Sequence, residues 1–202
     1  MSNPPHPYRV DTRCTAFLGD RRIAAGELRH VALRGQQALE ANPDAELLIF
    51  DDADARLIDV DLRGGAADIV QRLNRGEVPT PEVEAPVKRG RGRPKLGVVA
   101  REVTLLPRHW QWLNAQPGGA SVALRKLVDA ARREHAAGDE RRAAQERTYR
   151  FMSAMGGDLV GFEEATRALF AGDTHKFEAE ILSWPDDLRD HATMLAADAW
   201  PH

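Results

Sequence analysis

The chain has little cysteine: Cys14 is the only one in 202 residues. No intrachain disulfide can form, and a reducing compartment is the natural expectation. No apolar run approaches the roughly 18 uninterrupted residues of a membrane-spanning helix, so no membrane role is expected. Residues 1–12 contain Pro4, Pro5 and Pro7 but no apolar core, which is not the pattern of a secretory leader. No glycine-rich phosphate loop follows a strand-like run, and no Ser-x-Gly elbow is present. His175 and His191 lack the companion ligands of a zinc site. The spacing of Asp51, Asp52, Asp54, Asp59 and Asp61 matches no calcium loop. The expectation is a cytoplasmic, non-enzymatic protein with no catalytic residue, no metal and no cofactor.

What is abundant is charge, and it is unevenly placed. The net charge of -3 conceals four blocks. Residues 1–76 carry 12 acids and 10 bases, and residues 77–87 add three acids alone. Residues 88–155 hold 15 Lys and Arg against 6 Asp and Glu, while residues 156–202 hold 3 against 10. Electrostatic binding follows such grouping, not the total.

Hydrophobic periodicity predicts an α+β chain. Residues 1–12 read as a disordered start. Residues 13–75 read as a small α+β domain. It opens with a hairpin around Gly19-Asp20-Arg21 and a helix from Leu28 to Leu39. A strand at Leu47–Phe50, an alternating strand at Leu57–Leu62 and a helix from Ala66 to Leu73 complete it. Residues 76–97 are dense in proline and glycine and read as a linker, disordered without a ligand. Residues 98–136 read as strand, helix, turn and helix. Pro107 opens the first helix, Trp110 joins the core and Trp112 lies at a seam; Ser121 caps the second helix. After a hinge at Gly138, residues 139–200 read as an acidic helical segment. It contains a weak repeat, Gly157-Asp158 and Gly172-Asp173, in which glycine ends one helix and aspartate caps the next.

Within the linker, Lys88-Arg89-Gly90-Arg91-Gly92-Arg93-Pro94-Lys95 carries five positive charges and no acid. Such a strip is narrow enough for the floor of an A·T-rich minor groove, whose potential attracts guanidinium groups. Arg91 and Arg93 would insert, Gly92 would permit close approach, and Pro94 would restrict the exit path. Lys88, Arg89 and Lys95 would contact phosphates. A solubilising linker is the plainer alternative. The segment resembles an AT-hook, which implies double-stranded, A·T-rich DNA as the partner.

Val98–Arg133 resembles the ribbon-helix-helix dimers, in which two strands pair into one ribbon for the major groove. The resemblance implies a homodimer, with Arg101, Val103 and Leu105 facing the groove and Ser121 at a phosphate-binding helix start. It would also turn Glu102 and Thr104 toward the core. Either the register differs, or the ribbon is a dimerisation device that does not read bases.

Over nearly its full length the chain resembles an uncharacterised bacterial family of about this size. Cys14-Thr15-Ala16-Phe17, Phe50-Asp51-Asp52, Asp61-Leu62-Arg63-Gly64, Arg93–Val99 and Phe151–Met155 carry that likeness. Two roles follow as expectations. One is a DNA-binding protein, a transcriptional regulator or a nucleoid-associated protein. The other is a protein-interaction adaptor using the α+β domain and the acidic helical tail.

Overall fold

The computed structural model describes residues 8–75, 99 and 101–201. The fold is α+β, with seven helices and one three-stranded antiparallel sheet among the described residues. Two compact units divide it: Met1–Thr80 together with Glu140–His202, and Pro81–Asp139.

In the first unit, β1 (Arg13–Leu18) and β2 (Arg21–Glu27) form the expected hairpin, and β1 also pairs antiparallel with β3 (Leu47–Asp51). The order β2-β1-β3 makes β1 the central strand. Its side chains alternate between two cores, as a strand's period of two requires. Cys14 and Ala16 join Leu28, Val31, Ile49 and Ile58 in one apolar cluster. Leu28 and Val31 belong to α1 (Leu28–Ala41), and α2 (Ala66–Arg75) lies later in the chain.

On the opposite face, Phe17 and Phe50 pack with Phe151, Met152, Phe177, Leu188 and Ala192. These last five come from the end of α4 (Gly119–Met155), from α6 (Thr174–Ile181) and from α7 (Asp186–Leu195). The sequence places residues 13–75 and 139–200 in separate domains, but this core runs across both. The reason is that β1 buries both of its faces, and α1 can cover only one.

Three local expectations also change. Leu57–Leu62 contributes one isolated bridge, Phe50 to Leu57, and no strand. Beyond it, Asp61 turns to hold Arg63 and Arg72. Gly138 is no hinge, because α4 runs through it. One helix-interior glycine costs only about 1 kcal/mol relative to alanine, and Ala136, Ala137, Ala143 and Ala144 favour helix on either side. In the tail repeat, Gly172 ends α5 (Phe162–Ala171) and Asp173 caps α6 by accepting from the Lys176 N–H at 3.0 Å. Asp158 caps nothing, since α5 begins later, after Gly161.

In the second unit, Pro107 opens α3 (Pro107–Asn114) as expected. Gly118 and Gly119, with φ of 87° and 74°, carry the turn into α4. That early turn starts the helix at Gly119 and leaves Ser121 inside its first turn, not at the cap. Leu113 and Ala123 are the buried apolar side chains of this unit among the described residues. Trp110, assigned to the core by its spacing, is 36% exposed on the two-turn helix α3.

Candidate nucleic-acid interface

Lys88, Arg89, Arg91, Gly92, Arg93, Pro94 and Lys95 lie outside the described residues. Arg101 and Ser121 are described and both are exposed. Residues 101–105 contain no helix, turn or bend and lead into Leu106, whose backbone is extended (φ -65°, ψ 150°). Leu105 is half-buried while Glu102 and Thr104 are exposed. Arg101 and Val103 are exposed as well, so Leu105 is the one partly buried side chain of these five. Leu105 has an apolar side chain to bury and Glu102 has a charge to keep wet.

The described lysines and arginines of the second unit share one property. Arg101, Arg108, Arg125, Lys126, Arg132 and Arg133 are all exposed, and none has a carboxylate at ion-pair distance among the described residues. Arg125 donates Nε–H to the Ser121 carbonyl at 3.0 Å, and Arg133 donates to the Asp129 carbonyl at 3.1 Å. Asp129 lies four residues after Arg125 and four before Arg133, yet neither guanidinium takes it. Arg108, Arg125, Lys126, Arg132 and Arg133 were not singled out from sequence. Their signal was the excess of bases over acids in residues 88–155.

Several cations of the first unit are instead committed to its own fold. Arg147 reaches Asp198 at 2.8 Å and the Leu195 carbonyl at 3.0 Å. Arg150 donates to the Asp54 carbonyl at 2.7 Å and pairs with Glu146. Arg63 and Arg72 both serve Asp61, and the hydrogen bonds from Arg63 hold that carboxyl far below the ordinary range. A cation already paired must surrender its partner before it can neutralise a phosphate, whereas an unpaired one releases only counterions.

Burial shifts several titratable groups of the first unit. Burial, followed by Asp52 and Asp51, pushes the Cys14 thiol up to about 12, so it stays protonated. Burial raises Asp52 as well, against the opposing hydrogen bond from the Thr15 hydroxyl at 2.8 Å. Burial, with help from Arg22, lowers His191 to about 4. No group of three or more His, Cys, Asp or Glu side chains among the described residues is arranged to hold a metal. No described helix is long and apolar enough to cross a membrane.

Residues 13–196 match the model of a bacterial protein family, described as an uncharacterized protein conserved in bacteria (DUF2239). No curated protein and no solved structure matches the chain.

Proposed function

We propose that this chain, which belongs to the uncharacterized family conserved in bacteria whose model spans residues 13–196, is a DNA-binding protein. The role would be that of a transcriptional regulator or a nucleoid-associated protein. The observation that carries the reading is the row of exposed, unpaired cations from Arg101 to Arg133, which continues the five-cation segment Lys88–Lys95. Phosphate attraction supplies affinity through the lysines and the helix arginines. Arg91 and Arg93, with Gly92 between them and Pro94 after them, supply preference for a narrow A·T-rich minor groove. Arg101 adds backbone attraction and no base contact. Ser121, with its N–H in the first turn of α4, adds a further phosphate contact. No covalent step is involved.

The test is binding of A·T-rich and G·C-rich duplexes by the wild-type chain and by the Arg91→Ala, Arg93→Ala double variant. The variant should lose most of the A·T preference. Equal preference by both proteins contradicts the reading.

One observation favours a protein-adaptor role instead. The rings of Tyr149 and Phe170 meet at a tilt of 59° with centroids 5.7 Å apart while both remain exposed, and Tyr149 joins Leu57 in lining an open groove. A stoichiometric protein partner that survives nuclease treatment would support that role, whereas co-purifying DNA would support the first.

A further inference from the structure

The four tryptophans of the chain divide into two kinds. In the first unit, Trp184 is buried and donates its Nε1–H to the Val160 carbonyl at 2.9 Å, and Trp200 packs on Phe177 with ring centroids 5.3 Å apart. In the second unit, Trp110 is 36% exposed and Trp112 is 52% exposed. Among the described residues no other ring meets either of these two, and neither indole N–H has an acceptor. A large flat apolar group with a polar edge, left half in water, is an unfilled contact surface.

Leu113 marks the buried side of α3. At 3.6 residues per turn, Trp112 stands about 100° around the helix from Leu113 and only about 40° from Arg108, one turn earlier. Arg108 is exposed and has no carboxylate at ion-pair distance among the described residues. A ring and a free cation therefore share the open side of α3. Residues 103–128 contain three such cations, Arg108, Arg125 and Lys126, and no acid. That combination complements a phosphate chain bearing flat apolar groups. A basic protein surface would be repelled here, and a purely apolar one would strip water from the cations without compensation.

We infer that this face binds single-stranded DNA, with an unpaired base stacked on Trp112 and a neighbouring phosphate held by Arg108. Every base has a π-face, so the stacking tolerates any sequence. In a duplex those faces are already stacked on one another, so Trp112 selects unpaired nucleotides. Trp110 stands about 200° around α3 from Trp112 and cannot flank the same base. The inference rests on the DNA-binding reading for its phosphate contacts, and adds unpaired nucleotides as a substrate beside A·T-rich duplex.

The test uses the full chain with two probes, an oligothymidylate of about 12 nucleotides, within the span of such sites, and the A·T-rich duplex. Binding is read from the anisotropy of dye-labelled DNA and from indole emission. Oligothymidylate should bind and quench that emission, and because Trp184 and Trp200 are packed in the first unit, the quench reports on Trp110 and Trp112. Trp112→Ala should weaken oligothymidylate binding roughly 5- to 100-fold. It should also remove most of the quench and leave duplex affinity nearly unchanged, which shows that the variant folds. Trp112→Phe keeps a ring and should recover most of the lost affinity. Failure to bind either DNA sinks the DNA-binding reading and this inference together. Duplex binding without oligothymidylate binding overturns this inference alone. So does binding without a quench, or a Trp112→Ala variant that binds oligothymidylate as wild type does or loses both DNAs equally. Tighter binding of the matching oligouridylate would assign the face to RNA and overturn it too. A Trp112 emission that is already that of a buried indole in the free protein, taken as the difference from Trp112→Phe, would put a protein surface there instead.

Discussion

His191 should make the first unit sensitive to acid, and the size of the effect can be worked out. The side chain is 2% exposed, with its ring 4.5 Å from Phe151 and 5.2 Å from Phe17, and its Nδ1 has no hydrogen-bond partner. Burial among these rings, with the nearby Arg22, lowers the imidazole from 6.5 to about 4. A depressed histidine binds its proton more tightly in the unfolded chain, so stability rises with pH through this window. The contribution is intact above about pH 6.5 and is lost progressively as pH falls toward 4. Linkage gives a loss of about 2 kcal/mol by pH 5 and about 3 kcal/mol by pH 4, relative to pH 7. His191→Phe removes the titration and the unpaired nitrogen while keeping a ring of similar shape. At pH 7 the variant should be within about 1 kcal/mol of wild type. Urea unfolding of both proteins at several pH values isolates the effect, because titrating carboxylates act equally on each. The stability difference should open by about 2 kcal/mol, in favour of the phenylalanine variant, between pH 7 and pH 5. Parallel pH profiles would refute the account of a neutral, desolvated imidazole.

Gly161 has φ of 87°, and a Cβ built there would lie 2.5 Å from the Glu180 carbonyl oxygen. Gly161→Ala should therefore lower the urea midpoint by more than Gly19→Ala. At Gly19 φ is also positive but the space is open, so the cost stays at about 1–2 kcal/mol. A chain truncated after Met155 should lose the near-ultraviolet signature of a packed aromatic core, because Phe177, Leu188 and Ala192 share one core with Phe17 and Phe50. A truncated protein that keeps cooperative unfolding of its sheet would contradict the shared core.

The hairpin, α1, β3 and α2 were legible because each carries a local signal: a Gly-Asp turn, an apolar stripe, a short apolar run. What stayed hidden depends on contacts distant in sequence. Nothing local to Phe17 says that its ring partners include Phe151 and His191. The break expected at Gly138 rested on a single residue, and helix-forming neighbours outweighed it. Leu57–Leu62 alternates like a strand, yet after its one bridge it joins no strand among the described residues, and Asp61 instead holds two arginines. On the functional side, the basic octamer was evident as composition. The unpaired state of Arg108, Arg125, Lys126, Arg132 and Arg133 was not, because whether a charge finds a carboxylate depends on the folded helix. The partial burial of Leu105 likewise depends on packing that the sequence alone leaves open.

The central claim is that unpaired cations of this chain neutralise DNA phosphates. Its most direct test is the association constant for an A·T-rich duplex measured from about 0.05 M to about 0.2 M salt. The account predicts a linear fall of log K with log salt. The slope should be about -4.5 or steeper if the five cations of Lys88–Lys95 each neutralise one phosphate. Binding too weak to measure at the lowest salt, or an affinity that does not change across the series, would contradict it.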